Sequence, residues 1–483
     1  MKSLAKNSIY NIVYQLLSLI FPLLSSMYVA RIILEDGVGK VAYAQNIASY
    51  FTAIALLGFP AYGIREIAKV KEDRAVCSQT FFELFSINAV STTIASVLYI
   101  ILLACTDSFQ SELPLYLCAG MAVWLNYANI DWFYQGKEEY GYITIRSLFI
   151  KAISLTVLVF FVKQKDDYVF YALISSCGTA CNYILNLFHA RKYITVDFDL
   201  KKIRLKKHIR PLLVLTIASF LGNIYNKVDV TMLGMMSGNA VVGYYSNAHK
   251  IILILVSCCI AVTTVFMPRL SYYYENDPVA LNKLLNFGIK LLIVIVVPAT
   301  VGLALLASDA MVVLYGEAFR PAGETLALFA PMLLIRPIGD LLCYQLLISV
   351  GKEQKRIYTS FIATVVNIVL NYLLIPQWQQ NGAAVASVVS EVIMNGMLLT
   401  DVMRSAEIKI EKQFLLKTII ATCVMVVGLF TIKSVFQHEM QIMLCSVLIG
   451  GELYFLMSVI LKNEVIVDLF SQVKKMLARF KRH

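Results

Sequence analysis

The chain has 483 residues, 59% of them hydrophobic and only 15% charged, with a mean hydropathy of +0.71. Soluble domains hold roughly 45–50% apolar and 25% charged residues, so this composition excludes an ordinary soluble domain and indicates a polytopic membrane protein. A net charge of +11 would suit nucleic acid in a soluble protein, but no nucleic-acid partner is expected here, because the charge resides in the loops.

The N-terminal segment MKSLAKNSIYNIVYQLLSLIFPLL runs into a full-length apolar helix and reads as a retained anchor rather than a cleaved signal. Apolar runs of about 20 residues, each broken by a short polar loop, then predict an all-α integral membrane protein. Its fourteen transmembrane helices are expected at 9–33, 41–63, 80–104, 114–135, 141–162, 168–190, 211–236, 241–267, 284–307, 324–349, 357–376, 381–403, 415–433 and 440–461. Spanning strands would alternate over ~10 residues, and these runs do not.

The loop charges fix a topology. With the N-terminus cytoplasmic, inner segments and the helix ends beside them hold 30 of the 42 Lys and Arg, outer loops and their helix ends hold 6, and 6 lie deeper inside spans. Such a bias places both termini in the cytoplasm. The longest basic loop, 191–210, reads as a linker between two six-helix lobes, 1–190 and 211–403. Spans thirteen and fourteen occupy 404–461, and the basic tail 462–483 reads as an amphipathic helix on the anionic inner leaflet. Two lobes of equal helix number fit the parallel-repeat plan of alternating-access carriers.

The six intramembrane cations are Arg146, Lys151, Lys227, Lys250, Lys290 and Arg336. A lone cation at the bilayer centre costs at least ~2.5–3.5 kcal/mol, so such groups face a wet cavity or a partner. Lys151, Lys227, Lys250 and Arg336 fall near mid-depth, within roughly 15–18 Å of one face at ~1.5 Å rise per residue. Arg146 and Lys290 sit close enough to the cytoplasmic ends for their stems to snorkel out. Asp340 follows Arg336 by one helical turn, so an internal pair is expected there. Asp229, Glu391 and Glu452 are further intramembrane acids.

Polar and aromatic side chains share these faces: Asn223 one turn before Lys227, Asn247 three residues before Lys250, and Tyr245 one turn before His249. They suit sugar hydroxyls and phosphate oxygens, but equally helix-to-helix hydrogen bonds. The charges thus point either to anionic cargo in a polar cavity or to internal bracing. Cys177 and Cys181, one turn apart, lack a His or carboxylate to complete a metal set and read as packing. Walker-type, HExxH and GxSxG motifs are absent, so no enzyme and no cofactor is expected.

Several runs carry a family resemblance. They are Lys6-Asn-Ser through Tyr14, Gly58-Phe-Pro-Ala-Tyr-Gly-Ile-Arg-Glu-Ile-Ala68, Asn129-Ile-Asp-Trp-Phe-Tyr-Gln-Gly through Arg146, Asn226-Lys-Val-Asp-Val-Thr-Met-Leu-Gly234, Gly243-Tyr-Tyr-Ser-Asn-Ala-His-Lys250 and Asn381-Gly-Ala-Ala-Val-Ala-Ser. In this order across the whole length, the chain resembles the Wzx-type oligosaccharide flippases of the multidrug/oligosaccharidyl-lipid/polysaccharide (MOP) exporter superfamily. The resemblance implies a MOP/MATE-like fold in a bacterial cytoplasmic membrane. It also implies transfer of an undecaprenyl-diphosphate-linked oligosaccharide from the inner to the outer leaflet.

By the same likeness, Lys151, Lys227, Lys250 and Arg336 would hold the diphosphate or acidic sugars, with Arg146, Asn223, Tyr245 and Asn247 beside them. Asp229, Asp340 and Glu391 would gate or couple an H+ or Na+ counter-ion, and Arg65 with Glu66 would form a cytoplasmic gate pair or a positive-inside anchor. Membrane lipid, a polysaccharide polymerase and a chain-length regulator are the implied partners. The rival readings are a lipid II flippase, a cation-coupled multidrug exporter of the same fold, and a scramblase or membrane scaffold.

Overall fold

The computed structural model describes residues 2–195, 204–349, 354–403 and 406–468, and these are helical with short connections. The expected linker 191–210 and tail 462–483 therefore lie partly outside the described residues. The chain forms two compact units, Met1–Gly243 and Tyr244–His483.

The first unit contains α1 (Lys2–Leu56), α2 (Phe59–Val70), α3 (Arg74–Cys105), α4 (Asp107–Gln110), α5 (Leu113–Trp124), α6 (Asp131–Gly136), α7 (Tyr140–Phe161), α8 (Tyr168–Ala190) and α9 (Lys206–Met236). α10 (Asn239–Thr264) carries the chain into the second unit. There follow α11 (Met267–Asn276), α12 (Pro278–Tyr315), α13 (Ala322–Phe329), α14 (Met332–Gly339), α15 (Leu346–Ser349), α16 (Gln354–Val402), α17 (Lys412–Val435) and α18 (Glu439–Ile460).

Among the described residues ten helices are long and apolar enough to cross a membrane. Two long helices hide a break. α1 leaves helical geometry at Leu34, with φ 57° and ψ −170°, and α16 does so at Gln379, with φ 47° and ψ −126°. A positive φ at a residue with a Cβ costs about 1–3 kcal/mol and persists only where packing holds it. At Gly58 the chain takes a left-handed φ of 69° that glycine tolerates, and Pro60 in the first turn then starts α2.

Burial is inverted relative to a soluble bundle. α3 turns Val90, Ile94, Val97 and Ile101 outward and Asn88, Ser91, Thr92 and Ser96 inward. That arrangement suits hydrocarbon outside and helix-to-helix hydrogen bonds inside, as a multi-pass membrane protein requires. Asn126, in the 3-10 turn just after α5, meets this polar stripe, donating to Asn88 Oδ1 at 3.1 Å and Thr92 Oγ1 at 2.9 Å.

α9 packs on α1 and α2 within the first unit, whereas the basic linker places its segment in the second lobe. Its hold on α1 is polar. Asn46 donates to Thr231 Oγ1 at 2.7 Å, Tyr50 shares a 2.8 Å hydrogen bond with the same hydroxyl, and Asn223 donates to the Ser49 carbonyl at 3.2 Å.

Candidate functional site

In the first unit, the runs Gly58–Ala68 and Asn129–Arg146 fold against each other as α2 on α6. Trp132 is buried between Phe59 and Phe81, with ring centroids 5.8 Å from each. A Cβ on Gly63 would lie 2.9 Å from the Trp132 ring, and one on Gly136 would lie 2.8 Å from Ile67 Cβ, so both glycines are needed for this approach. Asp131 anchors the far end. It accepts from Arg146 Nη2 at 3.2 Å and from Asn186 Nδ2 at 2.5 Å.

Arg146 is therefore occupied. Its Nε donates to Asn182 Oδ1 at 3.0 Å, its guanidinium lies 5.5 Å from the Tyr142 ring centroid, and the residue is buried. Tyr142 in turn stacks on His189 at 3.9 Å. Lys151, one turn and a residue further along α7, donates to Ser18 Oγ of α1 at 3.2 Å. Lys227 differs from both: half-buried on α9, its ammonium has no hydrogen bond or ion pair among the described residues. Asp229, two residues on, is buried and engaged. Asn223 is spent on the α1 seam.

Arg65 and Glu66 lie within α2. Arg65 Nε is 3.7 Å from Glu66 Oε1, its guanidinium packs over Tyr62, and Lys69 reaches the same Glu66 oxygen at 2.8 Å.

Sequence reasoning missed a neighbouring cluster. Glu83 of α3 is fully buried and accepts from Lys207 Nζ at 2.7 Å, the Arg204 backbone N–H at 2.8 Å and Gln79 Nε2 at 3.2 Å. His208 Nε2 lies 2.9 Å from Oε2, the oxygen that Lys207 also reaches, and His208 Nδ1 lies 2.8 Å from the Tyr62 hydroxyl. A lone acid near the start of an apolar run, with a Lys-His pair in a basic linker, was the available signal.

In the second unit, Tyr245 is buried on α10, hydrogen-bonded to Ser387 Oγ at 3.1 Å and stacked on His249. Asn247 is fully buried, and neither amide atom finds a hydrogen-bond partner among the described residues. Lys250 is half-buried and engaged. Arg336 of α14 holds its Nε 3.6 Å from Glu391 Oε2 of α16, and Glu391 also accepts from Asn395 Nδ2 at 3.1 Å.

A π-helical turn over Asp340–Gln345 brings residues five apart onto one face, and Gln345 donates to Asp340 Oδ2 at 2.9 Å. Lys290 meets Glu411 at 2.5 Å and Glu464 at 3.1 Å, two exposed acids, as a snorkelling side chain would. That contact holds the Glu411 carboxyl below its ordinary range.

Each unit thus carries cations at mid-span, some braced by acids and amides, whereas Lys227 has no such brace among the described residues. The description "Polysaccharide biosynthesis protein" matches residues 4–273, and "Lipid II flippase MurJ" matches 147–449. A relative from Escherichia coli (strain K12), described as an O-antigen transporter, is 22% identical over 410 residues, covering 82% of this chain and 96% of its own.

Among solved structures, a lipid II flippase MurJ in an inward closed conformation superposes with a TM-score of 0.76 at 16% identity, over 95% of this chain and 99% of that one. An inward-facing MATE multidrug transporter reaches 0.63 at 15% identity, over 80% and 94%. These likenesses show that the chain shares the helical fold of those two transporters.

Proposed function

The chain belongs to the polysaccharide biosynthesis protein family, as a Wzx-type member of the MOP superfamily, and from that premise we propose that it flips a lipid-linked oligosaccharide across a bacterial cytoplasmic membrane. The cargo would be an undecaprenyl-diphosphate-linked repeat unit for O-antigen, capsule or exopolysaccharide. Its sugars and diphosphate cannot cross hydrocarbon without replacement of their hydration. In this reading the protein is a carrier, not a catalyst.

Fourteen crossings follow if α1 is divided at Leu34 and α16 at Gln379, and if the short apolar helix Leu113–Ala128 and the charged α9 are counted. Both termini then face the cytoplasm, in agreement with the loop charges.

The observation that carries the anionic-head assignment is Lys227. A half-buried ammonium with no hydrogen bond or ion pair among the described residues is an open site for a phosphate oxygen. Lys151, Lys250 and Arg336 would add charge at similar depth. Asp229, Asp340 and Glu391 are the carboxylates we assign to gating or to H+ or Na+ coupling. The test is complementation of a flippase-null strain. Lys227→Ala should abolish surface polysaccharide at normal protein level, and Lys227→Arg should restore it. Normal export by Lys227→Ala would reject the assignment.

A lipid II cargo is the second reading, favoured by the match over 147–449. It predicts rescue of cells depleted of their lipid II flippase, which the oligosaccharide reading does not.

A further inference from the structure

α18 presents a carboxylate on the wrong side. Its buried stripe is Ile442, Ser446, Gly450, Tyr454 and Ser458, and α18 packs through contacts with α12 and α17. Glu452 lies two residues from both Gly450 and Tyr454, so at ~100° per residue it points about 200° away from that stripe. It is exposed, and its helical neighbours Leu448 and Leu456 are each more than half exposed.

The residue stands well inside the apolar helix Glu439–Ile460, on the order of 12 Å from the nearer end at ~1.5 Å per residue. Among the described residues Glu452 has no hydrogen bond or ion pair. Beside it, Gly451 has open space where a Cβ would be. An acid facing lipid at this depth is costly and marks a functional position by default. A small residue next to it permits close helix approach.

We propose that this outer face of α18 receives a membrane-spanning helix of another protein that carries a Lys or Arg at mid-bilayer depth, paired to Glu452 and seated over Gly451. Charge complementarity selects the occupant. A second copy of this chain would offer no match, because every mid-span cation among the described residues is buried or half-buried.

The test uses the full-length protein in liposomes, fused to a fluorescent donor, and acceptor-labelled Leu/Ala transmembrane peptides with a central Lys or a central Leu. Energy transfer to the Lys peptide should reach half-saturation at an at least tenfold lower peptide-to-lipid ratio than to the Leu peptide. Glu452→Gln should remove that difference, and Glu452→Lys should transfer the preference to a peptide with a central Glu, which shows that the variants still fold and bind. Equal titration by the two peptides overturns the proposal. So does a Lys preference that survives Glu452→Gln, since the cation then binds elsewhere. Transfer between differently labelled copies of the protein that Glu452→Gln abolishes would also overturn it, by placing a second copy on this face.

Discussion

Gly63 and Trp132 occupy each other's space: the indole ring fills the position where a Cβ on residue 63 would stand, 2.9 Å from Cδ2. Two of the sequence runs that carry the family likeness are thereby joined into one buried brace in the first unit. Gly63→Ala must push the ring out of its sandwich between Phe59 and Phe81. Overpacking of this kind costs about 1–3 kcal/mol. The variant should unfold several degrees lower when detergent-solubilised protein is heated and the remaining monodisperse fraction is measured; an unchanged midpoint would show that the brace relaxes freely.

Arg146 and Lys227 should fail in different ways. Arg146 is buried against Asp131, Asn182 and Tyr142, and removing one partner of a buried ion pair costs about 3–5 kcal/mol because the other charge stays uncompensated. Arg146→Ala should therefore lower the amount of protein in the membrane several-fold. Asp131→Asn should partly offset that loss when combined with it. Immunoblots of membrane fractions, read beside those of Lys227→Ala, separate a folding role from a transport role.

The Glu83 cluster ties the start of α9 to α2 and α3. Glu83→Ala removes the acceptor for Lys207, Arg204 and Gln79 and leaves His208 with Tyr62 alone. The segment around Arg204–Arg210 should then become at least several-fold more sensitive to trypsin in purified protein, at sites the wild type protects. Unchanged digestion would mean that apolar packing of α9 suffices to hold it.

At the opposite end of the first unit, Glu112 accepts from Lys40 Nζ at 2.7 Å and from the Tyr168 hydroxyl at 2.8 Å. Partial burial pushes its carboxyl up, but these two hydrogen bonds outweigh that and hold it below its ordinary value. A depressed folded pKa contributes stability that is present above the unfolded value near ~4.3 and is lost as pH falls through the folded one. Glu112→Gln should lower the Tm by roughly 1–2 °C at pH 7, on the scale of a partly exposed pair. At a pH below the folded value the two proteins should melt together, which a pH series of thermal scans reads directly.

The amino-acid sequence by itself determines the class of this protein. Span length, hydropathy and loop charge are local properties of the chain, so the all-helical membrane class and most helix positions follow from them. Even the polar stripe of α3 is visible as Asn88, Ser91, Thr92 and Ser96 at helical spacing. The cations of the candidate site are equally legible there, because an intramembrane charge is rare enough to stand out.

What each charge does is not legible in the sequence, since a partner is chosen in three dimensions. Arg336 shares a helical turn with Asp340, and its Nε also approaches Glu391 on another helix, while the π-helical turn brings Gln345 to Asp340. Lys290 finds Glu411 and Glu464 from two different segments. Periodicity reports the face on which a side chain lies, but not what stands opposite it. Only packing decided that Arg146 is a brace, that Asn223 belongs to the α1 seam, and that Lys227 is left without a partner among the described residues, because each outcome depends on residues brought together from distant parts of the chain.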